Sequence, residues 1–279
     1  SLTSSARKGQ KKFVRALNVR DGLTFRRVAM LVFNLTDFGR AIEDNTFAAI
    51  ELQRTTLGVI ERVSTEMKGV VDNFHGDHVD VSFNGCRHSG PNPASNAAHT
   101  GLKILKLLRE RARANELPSY SGCSIGISSG VAACGNMGTM SFKRYCVVGP
   151  VYQQAAALER LCKQHRVPTL VSMGTALEHQ MFLRHVDVVP LPTNKGAAVP
   201  TLVSTLIAPK DQEGGEWMYA IEQQKAGDTS AAVNAVFEAY VKKDVAKAQA
   251  LAGELAECPK RVAKMVEADV ESYCARQGR

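Results

Sequence analysis

The sequence has no paired-cysteine spacing. Its seven cysteines are Cys86, Cys123, Cys134, Cys146, Cys162, Cys258 and Cys274. They are odd in number, and none sits in a CxxC pair or at a Cys/His ligand spacing. This argues for reduced thiols in a cytosolic setting and against a structural zinc site. Long apolar runs are also missing, and no stretch approaches the roughly 20 apolar residues that cross a membrane as a helix. The opening residues show no charged, then apolar, then small-residue series of a secretory signal. The expectation is a cytoplasmic domain, or the intracellular part of a larger or membrane-associated protein. A base-reading fold and an aromatic-basic platform are absent too. The net charge of +8, with its tight cluster at Arg7, Lys8, Lys11, Lys12 and Arg15, therefore reads as a soluble basic surface with no nucleic-acid partner. Gly126-Ile127-Ser128-Ser129-Gly130 has GxSxG spacing, but it lies inside the alternating strand-like stretch Cys123–Ala133 and not on a strand-to-helix turn, so no nucleophile elbow is expected. His75 and His78 flank Gly76-Asp77 without completing a zinc ligand set.

At 279 residues and 44% apolar, the chain can bury one substantial core with room for an appendage. Val28–Phe33 is continuously apolar, as a strand buried on both faces would be. Thr46–Met67 reads as a helix with apolar positions at Ile50, Leu52, Leu57, Val59, Ile60 and Val63. Val70–Phe74 and Val79–Phe83 form a hairpin around His75-Gly76-Asp77-His78. Pro93–Arg113 is helical. Cys123–Ala133 alternates and carries Gly126 and Gly130, which suits a strand that another group approaches closely. Tyr145–Val148, Thr169–Ser172, Phe182–Val189 and Thr201–Ile207 are further strands, and Tyr152–Gln164 is a helix. The first half runs β-α-β-β-α-β, the order of a ferredoxin-like sheet.

After Pro209 the strand signals stop. Asp211–Glu216 is a linker by composition. Val233, Val236, Phe237, Tyr240 and Val241 keep helical spacing, as do Val245, Ala248, Leu251 and Leu255. A helical hairpin turning at Lys242-Lys243-Asp244 is expected, followed by a third helix from Pro259. A repeat array would need about three such units. The expected fold class is α+β. Residues 1–24 read as an N-terminal linker or an artificial edge, 25–210 as the domain, and 211–279 as a C-terminal helical extension.

Three segments, in order and on the expected elements, resemble the class III adenylate and guanylate cyclase domain. Val28-Ala29-Met30-Leu31-Val32-Phe33-Asn34-Leu35-Thr36-Asp37-Phe38 is similar to the family's first strand, in which an Asp follows the apolar run. Asn73-Phe74-His75-Gly76-Asp77 is similar to its Lys/Glu-Thr-Ile-Gly-Asp hairpin. Ile125-Gly126-Ile127-Ser128-Ser129-Gly130-Val131 is similar to its GI-H-x-G-x-V strand. Gly135-Asn136-Met137-Gly138-Thr139 and Arg144-Tyr145-Cys146-Val147-Val148-Gly149 follow as counterparts of GNVGS and RYxxxG. The likeness runs from about Phe25 to Ala208.

The resemblance implies a site shared between two domains, supplied by a homodimer or by a second cyclase domain. There the ribose 3′-hydroxyl of a purine nucleoside triphosphate attacks the α-phosphate. Two Mg²⁺ or Mn²⁺ ions on two carboxylates activate the hydroxyl and neutralise charge, and an Arg and an Asn stabilise the transition state. Residue by residue, one metal carboxylate falls on Asp77 and the other on Asn34, a neutral and weaker ligand. The transition-state Asn falls on Gln153 and the Arg on Ala157, which donates nothing. Arg160 lies about one turn further along. The purine-reading pair falls on Asn73 and Cys146, and Lys143, Arg144 and Lys195 are candidate triphosphate contacts. Losing a cation that stabilises phosphoryl-transfer charge costs roughly 10³–10⁵ in rate. The leading expectation is a cyclase-like signalling domain with impaired catalysis, a pseudocyclase or the regulatory half of a dimer, that binds purine nucleotide. The alternatives are an active adenylate or guanylate cyclase subunit, making cAMP or cGMP once a complementary domain supplies the missing groups, and a ligand-free scaffold module.

Overall fold

A computed structural model describes residues 22–172, 183–193, 196–207, 231–255 and 258–277. Lys195, the linker at 211–216 and nearly all of the 1–24 segment lie outside the described residues.

Strand β1 (Leu23–Leu35) is central. It pairs antiparallel with β3 (His78–Phe83) on one side and with β4 (Cys123–Gly138) on the other. Its continuous apolar run follows from this position, because both faces are covered. Ala29, Leu31 and Phe33 pack with the buried residues of α2 (Thr46–Glu66) and α3 (Pro93–Arg113). Val28, Met30 and Val32 pack with Val151 and Ala155 of α4 (Pro150–His165) on the opposite face. Strand β2 (Gly69–His75) completes the hairpin with β3. The order β2-β3-β1-β4 is that of a ferredoxin-like sheet. Beyond it the sheet continues through β6 (Thr169–Ser172), β8 (Val199–Leu206) and β7 (Leu183–Leu191), while β5 (Lys143–Val148) pairs with the end of β4. The result is a mixed α+β architecture on an eight-stranded sheet.

Local chemistry sets the helix starts. The Asn45 side chain accepts from the Ala48 N–H at 3.0 Å, and that of Asn92 from the Ser95 N–H at 3.2 Å with Pro93 next in line, both standard N-caps. The expected apolar stripe of α2 needs one correction. Ile50 is 53% exposed, because it lies about 100° around the helix from the buried Ala49. A short helix that the sequence reading did not separate, α1 (Phe38–Asp44), begins after Asp37, which holds a left-handed φ of 56°.

At the C-terminal end, helix α5 (231–241) and α6 (Val245–Gly253) form a hairpin. The single helix expected from Pro259 is instead two, α7 (Lys260–Val266) and α8 (Val270–Gln277). Asp269 causes the break. Its carboxylate accepts from the N–H groups of Glu271 and Ser272 and caps a new helix. Val236, Phe237, Tyr240, Met265 and Val266 cluster with Val188 of β7, so these helices pack on the sheet's far end.

Candidate functional site

The site is organised by how closely α4 lies on the sheet. Gly126 of β4 faces it, and a Cβ there would fall 2.0 Å from the Ala155 carbonyl oxygen and 2.3 Å from the Glu159 N–H nitrogen. Backbone therefore meets backbone, which seats Glu159 over β1. Its carboxyl, only 4% exposed, lies beside the Asn34 side chain, and Oε2 lies 4.0 Å from His78 Nε2. Asn34 stands opposite His78 in the β1–β3 register. Burial pushes the Glu159 carboxyl above the usual range. The Asn34 hydrogen bond and the charges of His78 and Arg160 oppose the shift, and the charge of Asp77 adds to it. Asp77 occupies the β2–β3 turn beside Gly76, whose φ of +58° is easiest for glycine. The Gln53 side chain holds that turn by donating to the Gly76 carbonyl.

A second polar group lies further along the hairpin. Asn73 stands opposite Asp80, and its amide contacts the His75 ring at 3.0 Å. Burial raises the Asp80 carboxyl, opposed by His78, His75, a hydrogen bond from Tyr152 of α4, and Arg144. Asp72 is pushed up to about 6, chiefly by burial and further by Asp80, with Arg144 acting the other way. Arg144 Nη2 donates to the Asp72 carbonyl at 2.8 Å, which ties the start of β5 to β2.

The structure thus brings Asn34 and Asp77 near Glu159, and Asn73 and Arg144 near Asp80. Cys146 is half-buried on β5, two residues from Arg144, with its thiol 3.6 Å from the Arg144 carbonyl. Lys143 begins β5. Gln153 is exposed on α4. Arg160 is exposed and close enough to influence the ionisation of both Tyr152 and Glu159. Ala157 packs toward the cluster of Leu158, Cys162, Leu170 and Val203, and so borders the β6–β8 wall.

Sequence reasoning missed Glu159, His78, Asp80 and Tyr152. Glu159 carried a readable signal. It lies four residues after Ala155 and three before Cys162, on a stripe that is otherwise apolar, across from a glycine in β4.

These residues do not fit a two-ion metal centre. Asp77 is the one carboxylate at the two positions that the resemblance gives to metal ligands. The nearby Glu159 is engaged by the Asn34 amide and biased by burial toward its neutral form. Among the described residues, no three His, Cys, Asp or Glu side chains converge as a metal site would require.

No family model matches the chain. An uncharacterized protein of Mycobacterium tuberculosis is 28% identical over 134 residues, which is 47% of this chain and 24% of that protein. An uncharacterized protein of Mycobacterium bovis gives the same figures. The chain spans about a quarter of the length of these relatives. Among solved structures, the adenylyl cyclase CyaB from P. aeruginosa superposes with a TM-score of 0.59 at 20% identity, over 69% of this chain and 100% of that one. The guanylyl cyclase Cya2 gives 0.55 at 23% identity, over 69% and 98%. The guanylate cyclase domain of RhGC from Catenaria anguillulae, in complex with GTP, gives 0.54 at 15% identity, over 66% and 100%. The chain has the fold of class III adenylyl and guanylyl cyclase catalytic domains.

Proposed function

We propose that this chain is a cyclase-like signalling domain that binds purine nucleotide but does not cyclise it unaided. One observation carries the reading. Where catalysis by this fold would need a metal-binding carboxylate, the chain has the amide of Asn34, set beside the buried carboxyl of Glu159. The deficiency is thus built into a packed contact between β1 and α4. Ala157 deepens it, because no guanidinium is available at that position and the residue borders an apolar wall. Removing such a cation alone costs roughly 10³–10⁵ in rate.

The nucleotide-binding part rests on the polar groups gathered near Glu159 and Asp80. Asn73 offers both a donor and an acceptor to a base edge, and Arg144 and Arg160 place positive charge near them. The related domain of RhGC binds GTP in the same fold. The purified chain, incubated with ATP or GTP and either Mg²⁺ or Mn²⁺, should form no cyclic nucleotide above background. Robust formation would refute impairment. Calorimetry with a non-hydrolysable triphosphate separates a nucleotide binder, which gives saturable heat, from a scaffold module, which gives none.

A second reading has its own support, namely a subunit completed by another domain. Phe25, Met140 and Phe142 are 79%, 84% and 67% exposed. They lie where β1 begins and β4 turns into β5, and large exposed apolar side chains at one end of a sheet mark an interaction surface. A homodimer or a pairing with a second cyclase domain would cover them. Light scattering on the parent and on Phe142→Asp tests this, with a dimer expected for the first and a monomer for the second. Cyclic-nucleotide formation on mixing with an independent cyclase domain would favour the completed-subunit reading.

A further inference from the structure

Away from these residues, the C-terminal helices border an open cavity of about 570 Å³ against the outer edge of the sheet. Sites for small ligands span roughly 300–1,000 Å³. Four of its lining residues are basic in type, His165, Arg184, His185 and Arg261, while Val233 and Phe237 belong to its apolar part. No carboxylate is among the described lining residues.

The basic wall is built rather than incidental. Asp187, fully buried behind it, fixes two of its members. The Asp187 carboxylate accepts from the Val188 N–H at 2.8 Å, from the Tyr273 hydroxyl at 2.8 Å and from Arg261 Nη1 at 3.2 Å, with His165 Nε2 at 3.6 Å. Arg261 also contacts the His165 ring. Asp187 therefore offsets one positive charge and immobilises the Arg261 guanidinium, whose five N–H groups exceed what Asp187 and His165 occupy. His185 is held by Ser204 Oγ at 2.7 Å, with Glu238 of α5 at 3.9 Å. Arg184 on β7 is exposed, and among the described residues no carboxylate pairs with it. The wall thus presents one guanidinium with no ion pair among the described residues beside one that is already positioned, which suits recognition of a carboxylate or phosphate group.

We propose that this cavity binds a small organic anion, with its charged head between Arg184 and Arg261 and its apolar part against Val233 and Phe237. Its walls come from the sheet (Arg184, His185) and from the C-terminal helices (Phe237, Arg261). Occupancy therefore fastens those helices to the domain and makes the site regulatory in character, independent of the nucleotide reading above.

The test uses the whole chain and three probes of similar size: phenyl phosphate, benzoate and uncharged benzyl alcohol. Calorimetry should show saturable binding of at least one of the two anions and none of the alcohol. Phenyl phosphate alone would assign a phosphate head, benzoate alone a carboxylate, and either outcome supports the proposal. Arg184→Gln, at an exposed position that leaves the Asp187 network intact, should weaken binding at least tenfold. Arg261→Gln should do the same if circular dichroism shows it folded, and otherwise Arg184→Gln decides. Hydrogen exchange across 231–241 and 260–266 should slow several-fold with the bound anion. Absence of saturable anion binding, or binding that Arg184→Gln leaves unchanged, overturns the proposal.

Discussion

Gly126→Ala isolates the feature on which the site depends, the contact of α4 with the sheet. The new methyl group would fall 2.0 Å from the Ala155 carbonyl oxygen and 2.3 Å from the Glu159 nitrogen, where ordinary contacts begin near 3.4 Å. Both neighbours are helix backbone, so no side-chain rotation relieves the clash. The helix must retreat by about 1 Å or more, which opens its packing against Val28, Met30 and Val32 on one side and against Leu170 on the other. Overpacking of a well-filled interior costs about 1–3 kcal/mol and sometimes more. With backbone as the obstacle, we expect a loss of about 3 kcal/mol.

Gly58→Ala is the control. Gly58 lies inside α2 with nothing within 4 Å of its absent Cβ, so alanine should stabilise by roughly 0.5–1 kcal/mol through backbone entropy. Guanidinium titration followed by circular dichroism reads both variants. Hydrogen exchange over 150–165 should rise in Gly126→Ala alone. A Gly126→Ala midpoint equal to or above that of the parent would refute the close helix–sheet approach, and with it the placement of Glu159 over Asn34.

Other consequences are equally direct. Asn34→Asp places a second carboxylate against Glu159 and near Asp77, so it should lower the unfolding midpoint in chelator. Millimolar Mn²⁺ should then restore stability more than in the parent, and an unchanged Mn²⁺ response would contradict the assignment of Asn34. The Asp72 carboxyl, pushed up to about 6 by burial, binds its proton more tightly in the folded chain than in the unfolded one. Its stabilising contribution is therefore present below pH 4 and lost as pH rises through about 6. Asp72→Asn should flatten that slope in urea titrations and raise stability at pH 7 by about 1 kcal/mol. Tyr240→Phe removes the hydroxyl that donates to the Ala268 carbonyl at 2.8 Å and should cost about 1 kcal/mol. Phe237→Ala should cost about 3–5 kcal/mol, and hydrogen exchange over 233–255 should rise far more in the second variant than in the first.

Much of the fold was legible because its local signals agreed with its tertiary environment. Asn92-Pro93 announces the start of α3, and apolar spacing carries it to Arg113, the bounds it has in the structure. Val28–Phe33 announced a two-sided strand. The far end of β4 was harder to read. Gly135-Asn136-Met137-Gly138 has neither alternation nor β-branched residues, and it stays extended because β5 pairs with it from Lys143 to Val148. Here the partner strand, rather than intrinsic preference, decides the conformation. The same holds for the split between α7 and α8. Helical spacing runs through the break, and only the Asp269 side chain, competing for backbone N–H groups, interrupts it.

The site was legible to a different extent. Asn34 and Asp77 could be paired from their motifs, and both lie near Glu159 in the structure. Glu159 could not be found by residue type alone, because a carboxylate on a helix ordinarily marks its solvated face. What distinguishes Glu159 is the conjunction of three facts far apart in sequence. It occupies an apolar stripe with Ala155 and Cys162, the facing strand carries Gly126, and β1 offers an amide rather than a carboxylate at position 34. An aspartate at 34 would set two negative charges together under α4, a costly arrangement without a cation between them. An amide at 34 removes that repulsion beside the buried Glu159 carboxyl. By this logic the amide at 34 and the burial of Glu159 suit one another.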